Sequence, residues 1–163
     1  MNILGQLHAM RISKETSRTI LLTAIRLWLG YRMITAGYSS VIDIIFHPKE
    51  RAFFEKWFGQ ELHFPFPLQM AFLAKGSELL GGILLIGGLF TRFAASLVAF
   101  TMLIATLTAN LGENFNIDGG FTISYFLFAW IFILQAGGKF SLDEILKIQF
   151  SRKRAREALR LPN

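Results

Sequence analysis

Four ionisable side chains interrupt stretches that are otherwise apolar enough to cross a membrane. Arg26 and Arg32 lie in the first stretch, and Lys75 and Glu78 lie in the second. A charge at the bilayer centre costs about 2.5–3.5 kcal/mol on insertion scales, so these residues are expected to face protein rather than lipid. Arginine and lysine donate hydrogen bonds to carbonyl or anionic oxygens, and a glutamate can carry a proton. The four residues are therefore the candidate ligand-binding site, with Glu78 as a candidate proton relay.

The expected depths of these residues predict one structural ion pair. Glu78 is expected at the membrane midplane. At a rise of 1.5 Å per residue, Arg26 lies about 4–5 Å to the inner side of it. Arg32 and Lys75 lie a similar distance, about 4–5 Å, to the outer side. The side chain of Arg26 is long enough to reach Glu78, so an ion pair between these two residues is predicted. Arg32 and Lys75 then point into the outer half of the bundle.

The charges in these stretches do not balance. Three cations accompany one carboxylate, which leaves about two positive charges in need of a partner. Asp43 would supply one partner if the first helix continues outward. Deprotonation of the lysine by burial, lipid phosphate, or a bound ligand with an anionic or carbonyl oxygen would account for the rest. The alternative interpretation is a structural ion-pair network whose outer members extend to the membrane surface.

Composition indicates an integral-membrane protein. Of the 163 residues, 53% are hydrophobic and 17% are charged, against about 25% in soluble domains. The length fits one domain that comprises residues 1–163. The absence of cysteine excludes disulfides, thiolate nucleophiles and iron–sulfur ligation, and no metal site is expected. The net charge of +6 comes mostly from the two ends of the chain, so it indicates topology rather than nucleic-acid binding.

Hydropathy predicts an all-α fold with four transmembrane helices in one bundle. The spans are expected at about residues 19–38, 68–89, 93–111 and 121–135. Lysine and arginine are concentrated before the first span, at Arg92 between the second and third, and after the fourth. The segment between the third and fourth spans has neither. The positive-inside rule then places both termini of this multi-pass chain in the cytoplasm.

Two further helices are predicted outside the spans. Pro48 begins a run that ends at Gly59, and Phe53, Phe54, Trp57 and Phe58 share one face of it. This pattern is typical of an amphipathic helix at the outer membrane surface, where it acts as a lid or as an aromatic anchor. After the fourth span, Ser141 and Glu144 have the spacing of a capping box. The helix that follows is basic and is expected to lie on the cytoplasmic side.

Several segments together resemble one known family. They are Ile25-Arg-Leu-Trp-Leu-Gly30, the glycine-rich run Glu78–Arg92, the stretch Met102–Ala109, and Gly137-Gly-Lys-Phe-Ser-Leu-Asp143. Over about residues 21–143 the chain resembles the DoxX/DoxD family of small four-helix bacterial membrane proteins. The resemblance implies that Arg26 is the family's arginine in the first span, Glu78 its glutamate in the second, and Arg92 its hairpin arginine.

The resemblance also implies a bacterial inner-membrane location and a role in redox chemistry. Some members are subunits of a thiosulfate:quinone oxidoreductase, and others are accessory proteins in oxidative-stress systems. The leading hypothesis is a subunit of a quinone-linked redox complex that binds a quinone head group or a small oxyanion, with no covalently bound cofactor. Membrane lipid and either a partner subunit or further copies of the chain are the expected partners. The alternatives are a non-catalytic scaffold that recruits a soluble protein, and a small-molecule transporter.

Overall fold

The computed structural model describes the backbone of residues 3–107 and 117–158, and the side chains of residues 14–107, 121–151 and 154. The regular structure of the described part consists of helices and contains no strand, so the predicted all-α class is confirmed. Its elements are α1 (Ile3–Phe46), α2 (Pro48–Lys56), a π-helix called π1 (Trp57–Glu61), α3 (Pro67–Gly87), α4 (Thr91–Ala105), α5 (Ile117–Gln135) and α6 (Leu142–Ala158).

The helices match the predicted spans to different extents. Helix α3 has 21 residues and is long and apolar enough to cross a membrane, and it coincides with the predicted second span. The apolar parts of α4 and α5, Thr91–Ala105 and Phe121–Gln135, are shorter. The predicted first span is a part of α1, which has 44 residues. The far end of the predicted third span lies outside the described residues.

Helix α3 packs between α1 and α4, and α5 packs against α4 and less extensively against α1. The main core lies where these helices meet, and its fully buried members include Leu29, Leu85, Val98 and Phe132. Small residues bring α4 close to its neighbours, because Ala94, Ala95 and Ala99 are all buried in this core. These three alanines therefore act as packing residues between the helices.

Glycines fix the register between α1 and α3. A methyl group at Gly37 would overlap the backbone of Leu79, and one at Gly30 would overlap the carbonyl oxygen of Gly82. The two backbones can approach this closely only because these positions have no side chain. Gly37 is therefore level with Leu79, which places the segment that precedes Gly30 beside the last turn of α3.

The α3–α4 turn and the α5–α6 turn lie together at one end of the bundle, which we call the turn end. Helix α3 ends at Gly88, whose φ of 63° is in the left-handed region that favours glycine. The amide of Asp143 donates a hydrogen bond of 3.0 Å to the carbonyl oxygen of Gly88. The hydroxyl of Ser141 accepts a bond of 3.3 Å from the amide of Glu144, as the predicted cap requires.

Helices α2 and π1 cover the opposite end, which we call the α2 end. Phe54 and Phe58 are buried there in a second core that also contains Ile44 and Ala71. Phe53 is 57% exposed, so the predicted aromatic face is turned only partly inward. The helical segment also does not end at Gly59 but widens into the π-helix, a form that is often found at functional sites.

The glycine contacts predict opposite effects for two glycine-to-alanine substitutions. Gly37→Ala is expected to lower the free energy of unfolding by about 1–3 kcal/mol, because the new methyl group overlaps α3. Gly76→Ala is the matched control, since a methyl group there meets no atom within 4 Å. It should be neutral or stabilising by up to about 1 kcal/mol, as alanine favours the helix. Thermal unfolding in detergent measures both, and equal stability of the two variants would contradict the predicted register.

Candidate functional site

Lys75 and Glu78 form an ion pair within α3. The Nζ atom of Lys75 donates hydrogen bonds of 3.0 and 3.1 Å to the two carboxylate oxygens of Glu78. Residues three apart on a helix lie on the same face, so α3 alone brings the two groups together. The side chain of Glu78 is 5% exposed and that of Lys75 is 21% exposed. The pair therefore places two opposite charges inside an otherwise apolar part of the bundle.

The pair borders a cavity of about 230 Å³ at the α2 end of the groove between α3 and α4. Trp57 and Phe58 of π1 cover it, and Phe64 and Phe100 form part of its wall. Its volume is larger than the roughly 150 Å³ of a cavity that holds benzene. It is smaller than the roughly 300–1,000 Å³ of sites for drug-sized ligands. The space suits one ring or a short chain, rather than a large soluble metabolite.

The chemistry of the cavity is that of one polar anchor among aromatic walls. A lysine ammonium has three N–H donors, and the carboxylate of Glu78 takes two of them. No other bond of this ammonium is found among the described residues, so its third donor can meet a ligand oxygen. The aromatic side chains present flat apolar faces against which a ring can stack. The arrangement therefore fits an apolar molecule with a carbonyl or anionic oxygen.

Arg26 lies far from this pair, and the predicted ion pair between Arg26 and Glu78 is not formed. Its Nη1 and Nη2 atoms each donate a 2.7 Å hydrogen bond, to the carbonyl oxygens of Gly137 and Phe140. Leu79, the neighbour of Glu78 in the sequence, packs against Gly37, so Glu78 lies at the level of Gly37. Arg26 precedes Gly37 by eleven residues, which is roughly 16 Å along α1. The prediction was wrong because α1 is displaced along α3 relative to the position that hydropathy indicated.

Arg26 instead belongs to a network that fastens the turn end. Asp143 interacts electrostatically with Arg26, which is 2% exposed. The carboxylate of Asp143 accepts hydrogen bonds of 2.7 and 2.8 Å from the amides of Phe90 and Thr91. These amides are at the start of α4, where a helix has unpaired donors and favours a negative charge. Asp143 therefore caps a helix that is distant in sequence, a role that sequence analysis missed.

The other two predicted arginines lie on the surface. The Nε atom of Arg32 donates a 3.1 Å hydrogen bond to the hydroxyl of Tyr125, and the residue is exposed. Arg92 is also exposed, and its guanidinium donates a bond of 3.4 Å to the carbonyl oxygen of Leu134. Of the four predicted ligand-binding residues, the structure thus brings together only Lys75 and Glu78. The aromatic walls and Tyr125 were not predicted as site residues.

Comparison with known proteins identifies the family. The DoxX family model matches residues 21–111, which begin within α1 and include α2, π1, α3 and α4. The chain belongs to the DoxX family. DoxX proteins are membrane-associated, so this chain is a small membrane protein. It is also similar to an uncharacterized protein of Haemophilus influenzae, with 32% identity over 114 residues, or 61% of this chain and 76% of that relative. No solved structure matches it.

The DoxX match covers the cavity but not the whole turn end. Lys75 and Glu78 lie inside the matched region, as do Trp57 and Phe100. Asp143, which caps α4, lies outside it. The cavity is therefore built within the family core, while the segment that closes the turn end follows this core in the sequence.

Two adjacent carboxylates at the turn end are predicted to differ sharply in their effect on stability. Asp143→Ala removes two hydrogen bonds to the start of α4 and is expected to cost about 1–2 kcal/mol of unfolding free energy. Glu144→Ala removes a 3.8 Å ion pair with the exposed Lys147 and should cost less than about 0.5 kcal/mol. Denaturant unfolding followed by circular dichroism measures both costs. Equal costs would show that Asp143 is not an important cap.

Proposed function

We propose that this chain is a multi-spanning subunit of a membrane redox complex and that its cavity binds the head group of a quinone. Family membership supports a small membrane protein connected with redox chemistry. The observation that carries the proposal is the Lys75–Glu78 pair at the edge of an aromatic cavity. A quinone ring is apolar, flat and bears carbonyl oxygens, so it matches each of these features.

The proposed placement in the bilayer follows from α3. Its 21 residues extend about 31 Å, close to the roughly 30 Å of a hydrocarbon core. Helices α4, α5 and the part of α1 beside α3 would cross with it and give four spans. The turn end carries Arg18, Arg92, Lys139 and Lys147, which favours the cytoplasmic side of a bacterial inner membrane. The α2 end then lies on the outer side, and α2 lies at that surface.

The proposed mechanism assigns separate tasks to the two charged residues. The third N–H of Lys75 donates a hydrogen bond to a quinone carbonyl oxygen, and this bond strengthens as the oxygen gains negative charge on reduction. Reduction of a quinone to a quinol takes up two electrons and two protons. Glu78 would relay one proton from the aqueous phase to this carbonyl oxygen, and the second proton would reach the other oxygen from the same side of the membrane. The two electrons come from a redox centre on a partner subunit, because this chain has no cysteine and so no iron–sulfur ligands.

A scaffold that recruits a soluble protein is the second candidate function, and α6 is the observation that favours it. Among the described residues of α6, those that bond to the α3–α4 turn lie at its start, where Asp143 makes the contact. Further along, Ile145, Ile148 and Phe150 are 48%, 45% and 65% exposed. Lys147 lies among these apolar residues, and the basic run Arg152-Lys-Arg154 follows them, a pattern that suits a partner surface as well as a lipid surface. The two candidate functions differ in whether the cavity is occupied.

Quinone binding can be measured through Trp57, which covers the cavity. With Trp28→Phe and Trp130→Phe, it is the single tryptophan of the chain. Titration of decylubiquinone into this variant in nanodiscs should quench its fluorescence to saturation. Adding Lys75→Met should raise the Kd about tenfold or more, since a charge-assisted hydrogen bond is lost.

The control variant for this titration is Arg51→Gln, which removes an exposed charge of α2 that does not line the cavity. It should leave the Kd unchanged. Quenching that rises linearly with quinone, without saturation, would indicate partitioning into lipid and would contradict the proposed site. It would then favour the scaffold function. An equal Kd for Lys75→Met and its parent would show that Lys75 does not bind the quinone.

A further inference from the structure

One exposed face of α1 differs from every other exposed face that the structure describes in the core of the bundle. We call it the α1 polar stripe. Its members are Trp28, Tyr31, Arg32, Thr35, Tyr38 and Ser39, and all six are exposed. Their spacing of three, four and seven residues places them along one side of the helix. The stripe extends over the twelve residues from Trp28 to Ser39, or roughly 17 Å along the helix.

The neighbouring helices also have exposed faces, but the large side chains on those faces are mostly apolar. The exposed large residues of α3 include Leu73, Leu80 and Ile83, which are between 50% and 60% exposed. Those of α4 and α5 include Phe100 at 64% and Leu127 at 55%. Such apolar side chains are what a helix presents to acyl chains. Threonine and serine side chains are instead common in contacts between transmembrane helices, and an intramembrane arginine faces protein or a water-filled cavity rather than lipid.

Arg32 is held in a fixed orientation at the middle of the stripe. Its Nε atom donates to the hydroxyl of Tyr125, which is 7% exposed. The ring of Tyr125 in turn packs against Trp28, with centroids 5.6 Å apart. Among the described residues, no acceptor lies within hydrogen-bond distance of either terminal nitrogen of Arg32. The guanidinium therefore presents four N–H donors and a full positive charge outward.

We propose that the α1 polar stripe is the interface for a transmembrane helix of a different polypeptide, which carries a carboxylate opposite Arg32. The proposal rests on the bilayer placement given above. In that placement Arg32 lies about five residues, or 8 Å, from Gly37, which is level with the middle of α3. A guanidinium at this depth needs an anionic partner, and the planar fork of arginine matches a carboxylate.

A second copy of this chain fits the stripe less well. A two-fold axis along the membrane normal would bring Arg32 level with the Arg32 of the second copy, where like charges repel. The stripe itself contains no acidic residue. Asp43 is eleven residues further along α1, about 16 Å away, and is hydrogen-bonded to His47 at 3.0 Å. The complementary charge therefore has to come from another chain.

Lipid phosphate also explains the stripe less well. Phosphate groups lie at the membrane surface, and they would account for Arg32 alone if its side chain extended to the surface. They would leave Thr35, Tyr38 and Ser39 facing acyl chains, because these residues lie still deeper than Arg32. A helix of a partner protein would cover the whole length of the stripe and so would explain why all six positions are polar or amphipathic.

Site-specific photo-crosslinking in the native membrane tests the proposal. We would place p-benzoylphenylalanine at Tyr31 or Tyr38 in the stripe, and at Phe100 or Leu127 on the apolar faces as controls. The stripe positions should give one discrete adduct with another membrane protein, and the control positions should not. Mass spectrometry of the adduct should locate a transmembrane helix that contains Asp or Glu.

Charge reversal decides whether Arg32 recognises this partner. Arg32→Glu should lower the yield of the adduct about tenfold or more, since it places like charges together. Replacing the partner's carboxylate with arginine should restore the yield. Arg51→Glu is the matched control on α2 and should have no effect. Thr35→Phe should also lower the yield by steric hindrance, and the hydroxyl that it removes bonds only within α1.

Three results would overturn the proposal. They are an adduct between two copies of this chain, adducts with lipid alone at the stripe positions, and an adduct that survives both Arg32→Glu and Thr35→Phe. Unchanged thermal unfolding of the Thr35→Phe variant confirms that lost crosslinking reflects the interface and not the fold. The quinone site is tested separately, because Lys75→Met should change quinone binding and leave the adduct intact.

Discussion

The ion pair between Lys75 and Glu78 determines the chemistry of the cavity in the α3–α4 groove. Because the two residues are one turn apart, α3 supplies both charges and needs no other helix to neutralise them. The neighbouring helices are then free to contribute aromatic and aliphatic walls. The result is a cavity of about 230 Å³ with a single polar anchor, covered by Trp57 and Phe58.

The opposite end of the bundle uses its charges for a structural purpose. Arg26 binds two carbonyl oxygens of the α5–α6 turn, and Asp143 caps α4 from the same segment. Arg18 adds an exposed hydrogen bond of 2.6 Å to Gln135 of α5. These contacts tie α1, α4, α5 and α6 together across more than a hundred residues of sequence. One end of the molecule is therefore fastened by backbone groups, while the α2 end retains open space.

The sequence predicted the elements better than it predicted their contacts. Hydropathy and capping patterns located α3, the helix begun by Pro48 and the helix capped by Ser141, because these signals are local. The prediction of an Arg26–Glu78 ion pair was wrong because hydropathy locates apolar residues but does not set the register between helices. That register depends on Gly30 and Gly37 in contact with α3, which composition alone does not reveal. The three-residue spacing of Lys75 and Glu78 was a local signal that could have predicted their pairing.

A double-mutant cycle between Lys75 and Glu78 tests the central claim most directly. Each single variant, Lys75→Met or Glu78→Met, leaves one buried polar group without its partner and should cost about 3 kcal/mol of unfolding free energy. The double variant removes both groups and should cost clearly less than the sum of the two single costs. Additive costs, or a double variant less stable than that sum, would show that the two residues do not neutralise one another.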